Sequence, residues 1–150
     1  MKRTILRECF RRAMKKNPYH PEGVFGCFRH YSFFIQGNKI LEMGLNRANY
    51  VFEDNYLISL GYSPVSKIHS ELDAYHKSKG HPDFDLNTPF ECVNLRLLKD
   101  GTPRDAAPCE VCTKNLLRWG AKTVYYSTNE GFDKLNLGDR HVAIHEPLPV

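Results

Sequence analysis

The sequence predicts an α/β protein: a mixed sheet flanked by helices. Three observations predict it. An aromatic and β-branched run is interrupted by Gly37-Asn38, two further strand-like runs follow at 91–99 and 122–127, and helical stretches alternate with them. A hairpin followed by alternating helix and strand gives a sheet with both antiparallel and parallel neighbours, its faces covered by helices. The 150 residues match a single domain over 1–150, long enough to bury a real core.

Residues 3–16 place Ile5, Leu6, Cys9, Phe10 and Ala13 at i, i+3, i+4 spacing, which predicts an amphipathic helix. Its outer face is rich in Arg and Lys, so 1–16 reads as a basic N-terminal helix. NPYHPEG at 17–23 ends it, because two prolines and a glycine break helices. Residues 24–36, VFGCFRHYSFFIQ, read as a strand, Gly37-Asn38 as a hairpin turn, and 39–46, KILEMGLN, as the returning strand. The connection over 46–66 has no clear period. A helix is predicted over 66–80, capped by Ser66 or Ser70 and ended by Gly80. A loop at 81–89 leads to the strand 91–99, with the turn DGTP behind it. The helix 108–120 has proline at its start and glycine at its end. After the strand 122–127, NEGFDKLNLGD reads as loop and RHVAIHEP as a short last strand or an extended tail.

A net charge of +4 permits an anionic partner but is weaker than a dedicated DNA-binding domain shows. No run of about 18 apolar residues exists, so no membrane partner is expected. The N-terminus lacks the apolar region of a secretory signal, and the expected location is cytoplasmic. Five cysteines fit a reducing compartment, and the odd count opposes a complete disulfide set.

The chemistry concentrates at two predicted helix starts. His69 sits near the start of one, and Cys109 and Cys112 at the start of the other, three apart, where both sulfurs can face one way. Three such ligands are what a catalytic zinc takes, leaving a fourth position for water. Helix N-termini also favour thiolates. Glu71 lies two residues beyond His69. It need only point past the helix end into the same pocket, where it would shuttle protons for a water whose pKa zinc lowers to about 7. A CxxC pair alone also suits a redox pair or a structural zinc, the latter with a fourth ligand from Cys92, His76 or His81. Cys9, Cys27 and Cys92 read as buried small hydrophobes.

HSE at 69–71 followed by PCEVC at 108–112 resembles the H-x-E…P-C-x-x-C signature of the zinc-dependent cytidine deaminase superfamily. That superfamily includes cytidine and deoxycytidylate (dCMP) deaminases, tRNA adenosine deaminases and APOBEC-type polynucleotide cytosine deaminases. The similarity covers about residues 24–127. It implies the three-layer α/β/α fold with a mixed central sheet, and a resident Zn2+ on His69, Cys109 and Cys112. It also implies a reaction in which activated water attacks C4 of cytosine (or C6 of adenine) while Glu71 protonates the ring nitrogen and then the leaving ammonia. Ser70 stands at the usual Ala position, whose backbone N–H contacts the base carbonyl. GLN at 44–46 is similar to the G-x-N of the superfamily and implies that Asn46 holds the sugar. The carbonyl of Ala106 or Ala107, just before Pro108, would receive the exocyclic amine. Two departures stand out: KDGTPRDAA at 99–107 lengthens the path to the cysteines, and Asp73 replaces the Asn of the HAE-x-NA of deoxycytidylate deaminases.

The basic helix and the tyrosines lean the substrate reading toward cytosine in single-stranded DNA or RNA, since bases stack on aromatic rings. Adjacent strand residues face opposite ways, and Tyr126 is the one expected at the pocket mouth. HSELDAY favours instead a free nucleotide or nucleoside, dCMP or cytidine. A tRNA adenosine deaminase, from the similarity of GLNRAN to GWNRP, and an inactive nucleic-acid-binding relative stand third. The plainer alternatives are a turn role for Asn46 and a solvated face for the basic helix. Of Arg29 and His30, mid-strand, one is expected to face outward. The sequence leaves the oligomeric state open.

Overall fold

The computed structural model describes residues 1–21, 29–47, 52–63 and 68–137. Helix α1 (Arg3–Lys16) runs into a short 3-10 turn at Asn17–Tyr19. Strands β1 (Arg29–Gln36) and β2 (Lys39–Leu45) form an antiparallel hairpin. Gly37 and Asn38 both carry positive φ, 57° and 62°, the type I′ geometry whose twist matches the flanking strands. Next come α2 (Asp54–Ser59), α3 (Ser70–Lys79), β3 (Phe90–Leu97), β4 (Pro103–Arg104), α4 (Glu110–Trp119), β5 (Ala121–Ser127) and β6 (Phe132–Asn136).

The described residues form a sheet of six strands in the order β2-β1-β3-β5-β6, with β4 paired to β3. Among the described residues only β3 and β5 run parallel; β1–β2, β1–β3, β3–β4 and β5–β6 are antiparallel. The parallel pair needs a crossover, which α4 supplies. The sheet is therefore mixed, as the alternation of elements predicts.

Side-chain alternation divides the sheet into two faces. Tyr31, Phe33, Ile35, Val93, Leu95 and Leu97 point to one face and pack against Ile5, Cys9 and Ala13 of α1. Asn17 anchors the end of that helix: its Nδ2 donates to the Leu98 carbonyl (2.9 Å) and its Oδ1 accepts from Tyr31 Oη (2.6 Å). Phe34, Phe90, Cys92 and Val124 point to the other face and pack with Ala74 of α3 and Leu116 of α4. The rings of Tyr75 (α3) and Trp119 (α4) stack at 4.0 Å with planes 2° apart. Helix, sheet and helix pair form the three layers.

Gly44 on β2 sets how closely α3 lies on the sheet. A Cβ there would stand 2.2 Å from the Ser70 carbonyl oxygen and 2.3 Å from the Ala74 nitrogen. Gly120 closes α4 in the left-handed conformation, φ 106°, the usual glycine stop.

Several sequence readings change. The connection 46–66 contains α2, whose six residues are too few to display a period. The predicted loop after β5 contains β6, an edge strand whose Asp133 and Lys134 mask its pairing tendency. Ser70 does not cap α3; His69 occupies the N-cap and Ser70 is the first helical residue. Arg29 and His30 do not divide into inward and outward, because β1 is central and covered on both sides. Arg29 is buried and donates to the Asn17 carbonyl (2.8 Å), while His30 lies on the opposite face. Ser66, Cys27, residues 24–28 of the first predicted strand and the stretch RHVAIHEP lie outside the described residues.

Candidate active site

Helix α3, which lies over β2 and β1, and helix α4, which lies over β5, begin close together, and their N-caps are His69 and Cys109. Neither position is a usual capping residue. Cys109 nonetheless caps α4 through sulfur: Sγ accepts from the Cys112 N–H at 3.4 Å. Cys112, one turn on, is fully buried. His69 Nδ1 lies 3.7 Å from Cys109 Sγ and 3.4 Å from Cys112 Sγ, and the three ligand atoms all fall within 4.8 Å of one another.

These distances can be tested against zinc. Bonds of about 2.0 Å to nitrogen and 2.3 Å to sulfur at a tetrahedral angle put N and S about 3.6 Å apart. Both observed separations bracket that value, so the donor set fits zinc by type and spacing. Among the described residues no fourth His, Cys, Asp or Glu joins the group. The alternatives raised for a structural site are engaged elsewhere: Cys92 donates to Asn94 Oδ1 (3.2 Å), His76 pairs with Tyr56 Oη (2.7 Å), and His81 Nδ1 accepts from Asp83 N–H (3.1 Å). Among the described residues the group therefore has three donors, the number that a catalytic zinc takes from protein.

The electrostatics agree. The hydrogen bond with Cys112, reinforced by His69, lowers the Cys109 pKa to about 4, against the opposing effect of burial. Burial holds the Cys112 thiol well above its ordinary value. A divalent cation would reverse that, because a coordinated thiol is deprotonated outright. Burial also pulls His69 down, but the hydrogen bond to Cys109 and the charges of Glu71 and Cys109 carry it above its ordinary value. Tyr62, buried after α2, places its hydroxyl 2.8 Å from Cys112 Sγ and its ring 4.9 Å from that of His69. Such outer contacts orient metal ligands.

Glu71 is 6% exposed. Its Oε2 accepts from Asn94 Nδ2 at 2.9 Å. All four hydrogen-bonding positions of Asn94 are filled. Nδ2 also reaches the Ala106 carbonyl (3.4 Å), and Oδ1 accepts from Ser32 Oγ (2.7 Å) and Cys92 Sγ. Ser32 spends its one proton on Asn94. Ser70 Oγ, 2.7 Å from Ser32 Oγ, is therefore the donor of that pair. Its contact with Glu71 Oε1 is longer, 3.3 Å. Asn94 thus holds one carboxylate oxygen, while the other has only the Ser70 contact, which competes with Ser32 for the single Ser70 proton.

The remaining predicted positions divide. Asn46 follows β2, and its Oδ1 accepts from the His30 N–H (2.9 Å), extending the ladder with β1. Ala106 carries the carbonyl tied to Asn94, whereas Ala107 is exposed, with its N–H on Asp105 Oδ1 (2.9 Å). Tyr126 pairs in register with Asn94 and so shares its face, while Tyr125 packs toward α1. Asp73, noted above as a departure from the deoxycytidylate deaminase pattern, is fully buried. It accepts from the Leu45 N–H (2.8 Å), Arg47 Nη2 and Lys77 Nζ (2.9 Å), so it pins α3 to the end of β2. Sequence reasoning missed Asn94, Ser32 and Tyr62. Asn94 had a signal, a lone amide in the apolar run ECVNLRLL; Tyr62 had none.

The chain has the α/β fold of the cytidine deaminases, with a three-donor site of metal-ligand type at two helix starts. Among solved structures it is similar to the dCMP deaminase of the cyanophage S-TIM5. The apo form is 19% identical with a TM-score of 0.52, covering 84% of both chains. The complex with dCMP and dUMP is 21% identical with a TM-score of 0.52, covering 84% of this chain and 82% of that one. No protein-family model and no curated protein sequence matches the chain.

Proposed function

We propose that the chain is a zinc-dependent hydrolytic deaminase that converts the cytosine of a nucleotide to uracil, with free dCMP as the favoured substrate. The observation that carries the deaminase reading is the pairing of the three-donor His69–Cys109–Cys112 site with a buried carboxylate, Glu71, fixed by Asn94. Zinc held by these three donors would supply Lewis acidity, making a water molecule a nucleophile near neutral pH. Glu71, through the oxygen that Asn94 does not hold, would take the water's proton and deliver it to N3 of the base, then carry a second proton to the departing ammonia. Water adds at C4, the new C4 hydroxyl gives up the second proton as it becomes the carbonyl, the bond from C4 to the exocyclic amine breaks, and uracil and ammonia leave. Asn94 is a positioning residue that keeps the carboxylate aimed. The Ser70 N–H, the Ala106 or Ala107 carbonyl, Asn46 and Tyr126 are the proposed contacts to base and sugar.

Two observations favour the free nucleotide. The similar cyanophage enzyme is a dCMP deaminase crystallised with dCMP and dUMP. In this chain α1, whose basic surface suggested a polynucleotide, packs on the face of the sheet away from Glu71 and Asn94. Single-stranded DNA or RNA remains the second reading, supported by Tyr126 on the site face. The deciding experiment offers dCMP, cytidine and a cytosine-containing oligonucleotide to the zinc-loaded protein, with Glu71→Ala as the blank. Turnover of dCMP above both others supports the proposal. Turnover of the oligonucleotide alone makes this a polynucleotide enzyme, and no turnover of any sinks the deaminase reading.

A further inference from the structure

The face of the sheet that carries Glu71's partners is graded from strand end to strand end. Phe34, Cys92 and Val124 form an apolar row across β1, β3 and β5. Two residues along each strand, Ser32, Asn94 and Tyr126 form a polar row, the one that holds Glu71. Two residues further, His30 faces Arg96 on β3, and Arg96 faces Arg104 on β4. Direct cross-strand partners share a face, so these form a third row about 7 Å from the second, in which the two arginines carry the charge and burial keeps His30 neutral.

Arg104 joins this row because of the lengthened path between β3 and the cysteines. Leu98 and Thr102 close a tight turn (N–H to carbonyl, 2.9 Å), with Gly101 at φ 89°. The chain returns as β4 along the stretch of β3 that β5 does not cover. Ser127 clamps the arrangement: its Oγ accepts from the Arg96 N–H (3.1 Å) and donates to the Arg104 carbonyl (2.7 Å). Arg96 and Arg104 are neither buried nor fully exposed.

Arg96 and Arg104 stand on the same face one row from the residues that hold Glu71, and Arg104 Nη1 donates to the Pro103 carbonyl (2.9 Å), so two guanidinium groups lie where an anionic group of a substrate held at Glu71 would reach. We propose that Arg96 and Arg104, with His30, bind the phosphate of the nucleotide whose cytosine lies beside Glu71. This rests on the deaminase reading for the base and adds the subsite that selects a nucleotide over a nucleoside. Guanidinium forks suit phosphate because they bind its oxygens in pairs. The order along the face is consistent: base at Glu71, sugar at Asn46, which bonds the His30 backbone, and phosphate at Arg96.

The test is isothermal titration of dCMP and deoxycytidine into the zinc-loaded Glu71→Gln protein, with Arg96 intact, Arg96→Ala, Arg96→Lys or Arg104→Ala. Melting temperature and zinc content identify any variant that fails to fold, and the other arginine variant then serves. The expected result is dCMP binding more tightly than deoxycytidine. Arg96→Ala should weaken dCMP about 10- to 100-fold and leave deoxycytidine within about twofold. Arg96→Lys, which keeps charge but loses the fork, should fall between. Equal affinity for the two ligands, or equal loss of both on substitution, overturns the proposal. If neither binds, the deaminase reading fails and inorganic phosphate decides the subsite: stabilisation of the wild-type protein that Arg96→Ala abolishes sustains it, and no stabilisation overturns it. An oligonucleotide with one internal cytosine identifies the source. Binding tighter than dCMP and dependent on Arg96 assigns the row to a backbone diester; weaker binding assigns it to the monoester.

Discussion

The two faces of the sheet are built by the same strands from alternate residues, yet they obey different rules. Toward α1, β1 and β3 present Tyr31, Phe33, Val93, Leu95 and Leu97, and the layer closes on Ile5, Cys9 and Ala13. Toward α3 and α4 the same strands present His30, Ser32, Cys92, Asn94 and Arg96 among the apolar residues. The first face supplies burial, worth about 25 cal/mol per Å² of apolar surface. The second gives up part of that gain to hold a polar network, which is tolerable only because its members satisfy one another. Stability and chemistry are thus assigned to opposite sides of one sheet, and substitutions should separate them.

The largest effect is expected at the metal donors. Cys112→Ser, or treatment with a strong chelator, should remove zinc and bring dCMP deamination to background, measured by metal analysis beside the rate. Full activity in a zinc-free preparation would break the assignment. Glu71→Gln should follow, lowering kcat by about 10²- to 10⁴-fold with zinc content and melting temperature unchanged. Asn94→Ala should cost about 10- to 100-fold in kcat through misplacement of Glu71, and about 1–3 kcal/mol of stability from buried partners left unsatisfied. A drop in stability with kcat intact would make Asn94 a purely structural residue.

On the α1 face the signature inverts. Ile5→Ala should cost about 2–5 kcal/mol in denaturant unfolding while kcat/KM for dCMP stays within about twofold. The smallest effect is expected on the outer surface of α1, where Arg7→Glu with Lys15→Glu should leave dCMP turnover unaltered. A selective loss of oligonucleotide turnover in that variant would join the two faces into one nucleic-acid track and restore the polynucleotide reading.

Short-range patterns carried most of the legible information. The period of α1, the Gly37-Asn38 turn and the proline and glycine bounding α4 are local, and the spacing of His69, Glu71, Cys109 and Cys112 is written in one dimension. What escaped depends on pairing across the chain. Asn94 acquires its role only when β3 lies beside β1 and beneath α3. Tyr62 reaches Cys112 across 50 positions of sequence. The stretch 99–107 looks like a departure from a pattern until its return strand sets Arg104 opposite Arg96. Asp73 likewise reads as a lapse, whereas its buried carboxylate joins α3 to Leu45 and Arg47.

The stack of Tyr75 on Trp119 has a practical use. The chain contains one tryptophan, and it sits where the helix bearing His69 meets the helix bearing the two cysteines. Indole emission is therefore a single-site optical gauge of helix docking. It needs no label, reads equally well in an inactive variant, and can follow in real time whether metal uptake tightens the two helices or finds them already in place.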